Sequence, residues 1–256
     1  PVPFEAYEAL KRRLDAPLPP PEGEAASTPE ALRAALARAV PGDRILVASG
    51  THTDWGRFDV DRGGTAEAPV VIGPARPHAV TFTGDVCFTV RVPHVVLHGF
   101  DFVEANGRGS RFKWAIVCLE GGSGLGRARF GRVSGCRFVS CGWAVPGRPP
   151  GEEAGSKYLI QSGAADTRVD HCYVYDRQGT AVNYAATEDI KRQDLAALYL
   201  ADHNVFRDSS RLYARGRRGK KRINREAISI WGGHPHQAVV FLRLLADANL
   251  FDREVG

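Results

Sequence analysis

Two hydrophobic rhythms divide this chain. Over residues 4–14 (FEAYEALKRRL) and 31–40 (ALRAALARAV), apolar positions recur at helical spacing. Pro17, Pro19, Pro20 and Pro21 stop the first helix, because proline lacks the N–H and clashes with the preceding turn. Ser27 and Thr28 precede Pro29 and Glu30, which supplies an N-cap and a first-turn proline for the second helix; Pro41 and Gly42 end it. Beyond Gly42 the apolar residues fall into short β-branched or aromatic runs, ILVA, VVIG, VTF, FTVRV, VVLHGFDF and AIVCL, separated by Gly, Asp, Arg and Pro. Helical spacing returns only weakly, around residues 188–200. The pattern predicts an N-terminal helical extension with a Pro-rich linker over 1–27 and an all-β body over 28–256 opened by one capping helix.

A repeat runs through that body. Five hexads align: Leu97–Phe102, Val133–Phe138, Val169–Val174, Ala201–Phe206 and Ala246–Phe251. Each reads apolar, polar, small or His, then Phe/Cys/Asn, variable, apolar, and successive sixth positions lie 36, 36, 32 and 45 residues apart. That period suits a solenoid coil of roughly 22 to 25 residues carrying loops of variable length on one side. The fold expected is a right-handed parallel β-helix, with Cys136 above Cys172 and Asn204 above Asn249 in successive rungs. A sandwich or jelly roll would also give many short strands but does not call for aligned hexads.

Composition narrows the class. With 43% hydrophobic and 25% charged residues over 256 positions the chain buries a real core, which excludes disorder. The formal charge of +5 favours an acidic partner: a polyanionic glycan, nucleic acid or an anionic surface. No apolar run reaches the roughly 18 to 20 residues of a membrane span, and no helix-turn-helix, RNA-binding sheet motif or zinc finger occurs. The five cysteines lack C-x-x-C spacing, so buried thiols are expected rather than a zinc site. The chain starts at Pro1 and contains no Met, which suggests a removed leader or a fragment.

Candidate chemistry concentrates in residues 207–225 (RDSSRLYARGRRGKKRINR), which hold nine Arg or Lys against one acidic residue, Asp208. Insertions in a solenoid cluster on one face and build its binding surface. Arginine forks match carboxylates or sulfates, and Tyr213 offers a ring to a sugar. Nucleic acid is the rival ligand for such a loop. His171 and His203 occupy equivalent repeat positions and His234 and His236 lack a third ligand at useful spacing, so these histidines read as structural or surface residues. Asp170 and Asp202, also at equivalent positions, would be the carboxylate pair of a glycoside hydrolase if they faced one groove.

These segments together resemble a known family. Ala39–Asp43 with Ile45–Thr51, then Gly64–Ile72 with Val80–Gly84, then Val95–Phe102, Arg168–Cys172 and His203–Phe206 resemble, in order, the successive coils of polysaccharide lyase family 6, the chondroitinase B and alginate lyase family. The resemblance runs from about residue 28 to 256. It implies cleavage of a uronate polysaccharide by β-elimination, alginate first and dermatan or chondroitin-type chains next, in a secreted or periplasmic protein. A Lys base and an Arg would do the chemistry, and in many members Ca²⁺, held by one Asn and a Glu-x-Glu pair, neutralises the substrate carboxylate. Hard Ca²⁺ suits such oxygen ligands.

Carried over residue by residue, the family's Asn-Gly-x-Glu-x-Ile-Arg-Ile-Gly segment corresponds to Ile223–Trp231. Glu226 matches, Asn224 is one place off register, Ser229 stands for the family's Arg and Trp231 for its Gly. Asn224 is the metal-ligand candidate, and Arg177, Arg211, Arg215 and Arg225 are the candidates for substrate carboxylates. The Glu-x-Glu pair and the catalytic Lys and Arg are expected beyond Gly256, so the 256 residues alone are not expected to catalyse elimination. The departures at Ser229 and Trp231 motivate an alternative, a non-catalytic β-helix that binds acidic glycans.

Overall fold

A computed structural model describes residues 4–15, 17–107, 115–122, 126–143, 158–185, 197–208, 227–231, 242–247 and 250–253. Two helices precede the strands: α1 (Phe4–Leu14) and α2 (Pro29–Arg38). Thr28 caps α2, its Oγ1 accepting from Ala31 N at 3.1 Å, as the Thr-Pro sequence requires. The buried Leu32 and Leu36 of α2 join the same core as Phe58 and Ile45, and Arg33 Nη2 donates to Trp55 O at 3.0 Å. This helix therefore closes one end of the solenoid.

The strands wind through three parallel sheets. Sheet A stacks β1 (Arg44–Val47), β4 (Val70–Pro74), β6 (Val95–His98), β9 (Arg132–Ser134), β12 (Thr167–Asp170), β15 (Ala197–Asp202) and β18 (Leu242–Asp247). Sheet B stacks β2 (Gly50–Thr53), the first part of β5 (Val80–Val90), β7 (Asp101–Asn106), β10 (Arg137–Val139), β13 (Tyr173–Tyr175), β16 (Val205–Asp208) and β19 (Leu250–Arg253). Sheet C takes β3 (Gly56–Val60), the second part of β5, β8 (Ala115–Leu119), β11 (Tyr158–Ser162), β14 (Thr180–Ala185) and β17 (Ile228–Trp231). Every pairing is parallel, and the chain visits A, B and C in turn: a right-handed parallel β-helix.

The hexads mark the corner from sheet A to sheet B. Their sixth positions pair across rungs, Phe102 with Phe138, Phe138 with Val174, Val174 with Phe206 and Phe206 with Phe251. The third position is left-handed in each described case: Gly99 (φ 73), Gly135 (φ 60), His171 (φ 54) and His203 (φ 55). This backbone demand accounts for Gly or His at the four described positions, and supports the structural reading of His171 and His203. Their rings stack at 4.9 Å, each Nδ1 against the carboxylate of the preceding Asp. At the fourth position Cys172 stands against Cys136. Asn204 Oδ1 accepts from Cys172 N at 2.9 Å and Asn204 Nδ2 donates to Val169 O at 2.9 Å; Asn249 lies outside the described residues. Ring stacks fill the interior, including Phe58 on Phe88 at 5.1 Å and Phe102 on Phe138 at 4.9 Å.

Two local readings change. The runs VTF and FTVRV belong largely to one strand, β5, which bends near the irregularity between Phe82 and Gly84 and serves two sheets. Residues 197–200, read weakly as helical, are strand: their apolar residues pack between rungs of sheet A, which overrides the local periodicity.

Candidate functional site

Connection lengths single out one face. From β6 to β16 each A-to-B turn is two residues, 99–100, 135–136, 171–172 and 203–204. The long connections all border sheet C: 107–114, 140–157 and 209–227 lead into it, and 120–131, 186–196 and 232–241 lead out. The variable hexad spacing thus comes from insertions on both edges of one sheet.

The outer face of sheet C carries a column of paired residues: Asp59, Thr89, Cys118, Gln161, Asn183 and Ser229. Their strand neighbours Phe58, Phe88, Val117, Ile160 and Val182 on one side, with Val60, Val90, Leu119 and Tyr184 on the other, are buried in the core. Period-2 alternation therefore turns the column outward. Much of it is nevertheless covered: Thr89, Cys118, Asn183 and Ser229 are buried and Gln161 is half-buried, while Asp59 at the first rung is exposed. Ser229 Oγ donates to Asn183 Oδ1 at 2.7 Å. Gln161 Oε1 is buried without a hydrogen-bond partner among the described residues. Burial pushes the Cys118 thiol up to about 12 and that of nearby Cys87 up to about 11, so neither is a nucleophile.

Ser229 belongs to the Ile223–Trp231 segment singled out by the family resemblance, and the part of that segment in β17, Ile228–Trp231, runs in this sheet. Asn224, Arg211, Arg215, Arg225 and Glu226 fall in the connection between β16 and β17 and lie outside the described residues, as do His234 and His236. Arg177 is described and is 1% exposed; its guanidinium donates to Gly179 O and braces the turn from β13 to β14 instead of facing solvent. The sequence reading passed over Gln161 and Asn183. Their signal was a polar residue at the centre of an apolar strand, YLIQS and TAVNYA, at matching positions in consecutive coils.

Asp170 and Asp202 do not form a hydrolytic pair. Both lie on the outer face of sheet A, where Arg132 holds Asp170 through Nε–Oδ1 at 2.8 Å and Nη2–Oδ2 at 2.7 Å. Arg168 holds Asp202 in the same two-pronged way, at 2.8 and 2.7 Å. Burial alone would raise both carboxyls, yet the hydrogen bonds and charges of these arginines hold them below the usual carboxylate range. Helix α1 covers the ladder: Arg168 Nη1 meets Asp15 Oδ1 at 2.5 Å, Arg132 Nη1 donates to Leu14 O, and Leu10 and Leu14 pack with Phe130 and Leu200. The hydrolase reading fails because its carboxylates are consumed by structure.

Fold and insertion pattern together define a parallel β-helix whose long connections all border one sheet. The chain belongs to the chondroitinase B family, whose family model matches residues 26–224. Among solved structures, a mannuronic acid specific polysaccharide family 6 lyase from human gut microbiota shares 20% identity at TM-score 0.68, over 88% of this chain and 47% of that one. A variant of the PL6 family alginate lyase AlyGC shares 20% identity at TM-score 0.64, over 89% and 28%. A PL6 alginate lyase in complex with a trisaccharide shares 19% at TM-score 0.53, over 72% and 34%. The chain spans less than half the length of each of them. A comparison with curated proteins gives no match.

Proposed function

We propose that this chain supplies substrate-facing coils of a secreted or periplasmic polysaccharide lyase that cleaves a uronate polymer, alginate before dermatan or chondroitin-type chains, by β-elimination. The observation that carries the reading is the placement of every long insertion along the edges of sheet C, with the basic one, between β16 and β17, leading straight into the family-like segment. No helix among the described residues is long and apolar enough to cross a membrane.

In such an elimination the C5 proton goes to a base, its electron pair forms the C4–C5 double bond, and the C4–O bond breaks as its oxygen is protonated. The C5 proton becomes acidic enough only when the adjacent carboxylate is neutralised. Arg211, Arg215 and Arg225 are proposed to meet substrate carboxylates, since a guanidinium fork matches that geometry. Among the described residues the face offers neutral oxygens, the partnerless Gln161 Oε1 and the Asn183–Ser229 pair, and no cluster of three or more metal-type ligands. Those oxygens suit a hard cation in kind but bring no charge, and the column's one carboxylate, Asp59, is ion-paired with Arg57 and Arg91, so Ca²⁺ beside Gln161 and Asn183 would take its carboxylates from elsewhere. Asn224 is the ligand proposed from this chain, and Ca²⁺ there would offset the substrate carboxylate.

Mass spectrometry of alginate treated with the complete gene product tests the reading. Elimination gives fragments one water lighter than hydrolysis gives. A second reading, a non-catalytic acidic-glycan-binding module, is favoured by Ser229: where the family resemblance places an Arg, a buried hydroxyl is tied to Asn183. Alginate retained but left uncut would establish that reading instead.

A further inference from the structure

Of the five cysteines, the rung register brings two together, and the function proposed above makes no use of them. Ser134 pairs with Asp170 before the corner and Arg137 with Tyr173 after it, so the two-residue corners 135–136 and 171–172 stack in phase. Gly135 N donates to Asp170 O at 3.0 Å and Tyr173 N donates to Cys136 O at 2.9 Å, which fixes that phase from both sides. Gly135 (φ 60) and His171 (φ 54) share the left-handed conformation, so the two corners turn alike. Cys136 and Cys172 therefore enter the core one above the other, 0% and 2% exposed. The other three have different neighbours. Cys118 has Thr89 and Gln161 on the adjoining rungs, Cys87 has Arg57, and the Cys141 thiol donates to Phe102 O at 3.2 Å.

We propose that Cys136 and Cys172 are a modification site, oxidised to an inter-rung disulfide by a disulfide-bearing donor as the chain folds. One rung separates their Cα atoms by about 4.8 Å, inside the range of about 4.4–6.8 Å that a disulfide spans. Cβ atoms on stacked rungs keep about the same spacing and need close by only a few tenths of an ångström to reach bonding range. The Cys136 thiol is the side-chain hydrogen-bonding neighbour of the Cys172 thiol, so the sulfurs already face each other. One cysteine thiolate attacks the donor disulfide and releases the first donor thiol; the other then attacks the mixed disulfide and releases the second. One S–S bond forms as one breaks, two electrons pass to the donor, and the two S–H protons end on the released thiols. Burial, and then the Cys136 thiol beside it, holds the Cys172 thiol well above the usual thiol range, and both sulfurs are shut off from solvent in the folded chain. The bond therefore forms while the corner is still open. It closes a loop that contains β10, β11, β12 and the 140–157 connection into sheet C, and so pins both ends of that coil. The setting is the oxidising compartment proposed above, where such bonds persist; the geometry is independent of the lyase activity.

Cell-free synthesis of the full chain, once with oxidised and reduced glutathione and once with dithiothreitol, tests the site, with Cys136→Ala and Cys172→Ala as variants. Each product is alkylated with N-ethylmaleimide in denaturant and digested. The dithiothreitol product should take a label on all five cysteines. The glutathione product should leave Cys136 and Cys172 unlabelled, joined in one linked peptide pair that either alanine variant lacks. It should also unfold several degrees above the dithiothreitol product. Labels on all five cysteines of folded glutathione product, or a bridge through any other cysteine, would overturn the proposal. The readout is a bond and not glycan cleavage, so the two readings fail separately. Cut alginate without the bridge sinks this site alone; a bridged protein that leaves alginate uncut sinks the lyase alone.

Discussion

Ser229 on β17 lies in register above Asn183 on β14, and its hydroxyl donates to the Asn183 amide oxygen at 2.7 Å with both side chains buried. The bond ties the strand that follows the basic connection to the coil beneath it. Ser229→Ala removes the donor and leaves the amide oxygen buried, which costs about 1–3 kcal/mol. The expected result is a lower urea midpoint with an unchanged m-value. A midpoint equal to the parent would show that the pair does not hold β17.

Arg168 is the most demanding structural residue of the outer ladder, being 1% exposed and shared between Asp202 and Asp15. Arg168→Ala strands a buried carboxylate, and a loss of about 3–5 kcal/mol is expected. Deleting residues 1–15 removes Asp15 and the cover of α1, so it should destabilise the same coils by a smaller amount. Hydrogen exchange should localise both effects to β9, β12 and β15.

The same ladder sets a pH dependence. Asp170 and Asp202 have folded pKa values below the unfolded value of about 3.9, so the unfolded chain takes up protons first as pH falls. Their contribution is complete above about pH 5 and is lost as pH drops through the folded values. Asp202→Asn should therefore lie well below the parent in stability at pH 7, with the gap narrowing below about pH 4. A gap that stays constant to pH 3 would contradict the assignment.

His171 tests the left-handed corner. With φ 54, a β-branched replacement is strained there whereas glycine is not. His171→Val should cost about 1–2 kcal/mol more than His171→Gly in thermal or urea unfolding. Equal losses would mean that ring stacking on His203, and not backbone conformation, selects the residue.

The solenoid was legible because its cause is periodic. Four of the hexads record a two-residue corner that repeats in successive coils, with glycine or histidine where φ is positive and an apolar residue where the strand re-enters the core. Thr28 and Pro29 likewise announce α2 by local chemistry alone. The Arg132–Asp170 and Arg168–Asp202 ladder was not legible as structure, because partners 38 and 34 residues apart meet only through the rung register. Asp202 and Asp170 then looked like free acids. The role of α1 escaped for a similar reason: its contacts with Arg132 and Arg168 reach across 118 and 153 residues. The face of sheet C was visible only in part, since its polar column shows as single interruptions of apolar runs until the coils are stacked.

The most direct test of the central claim is the ultraviolet absorbance of alginate incubated with the complete gene product. A C4–C5 double bond conjugated with the uronate carboxylate absorbs where the intact polymer does not. A rise with alginate and none with a neutral glucan is the expected result, slowed when the Asn224 or Arg215 side chain is truncated. A flat trace from folded protein that demonstrably binds alginate would contradict the lyase account and leave a glycan-binding β-helix in its place.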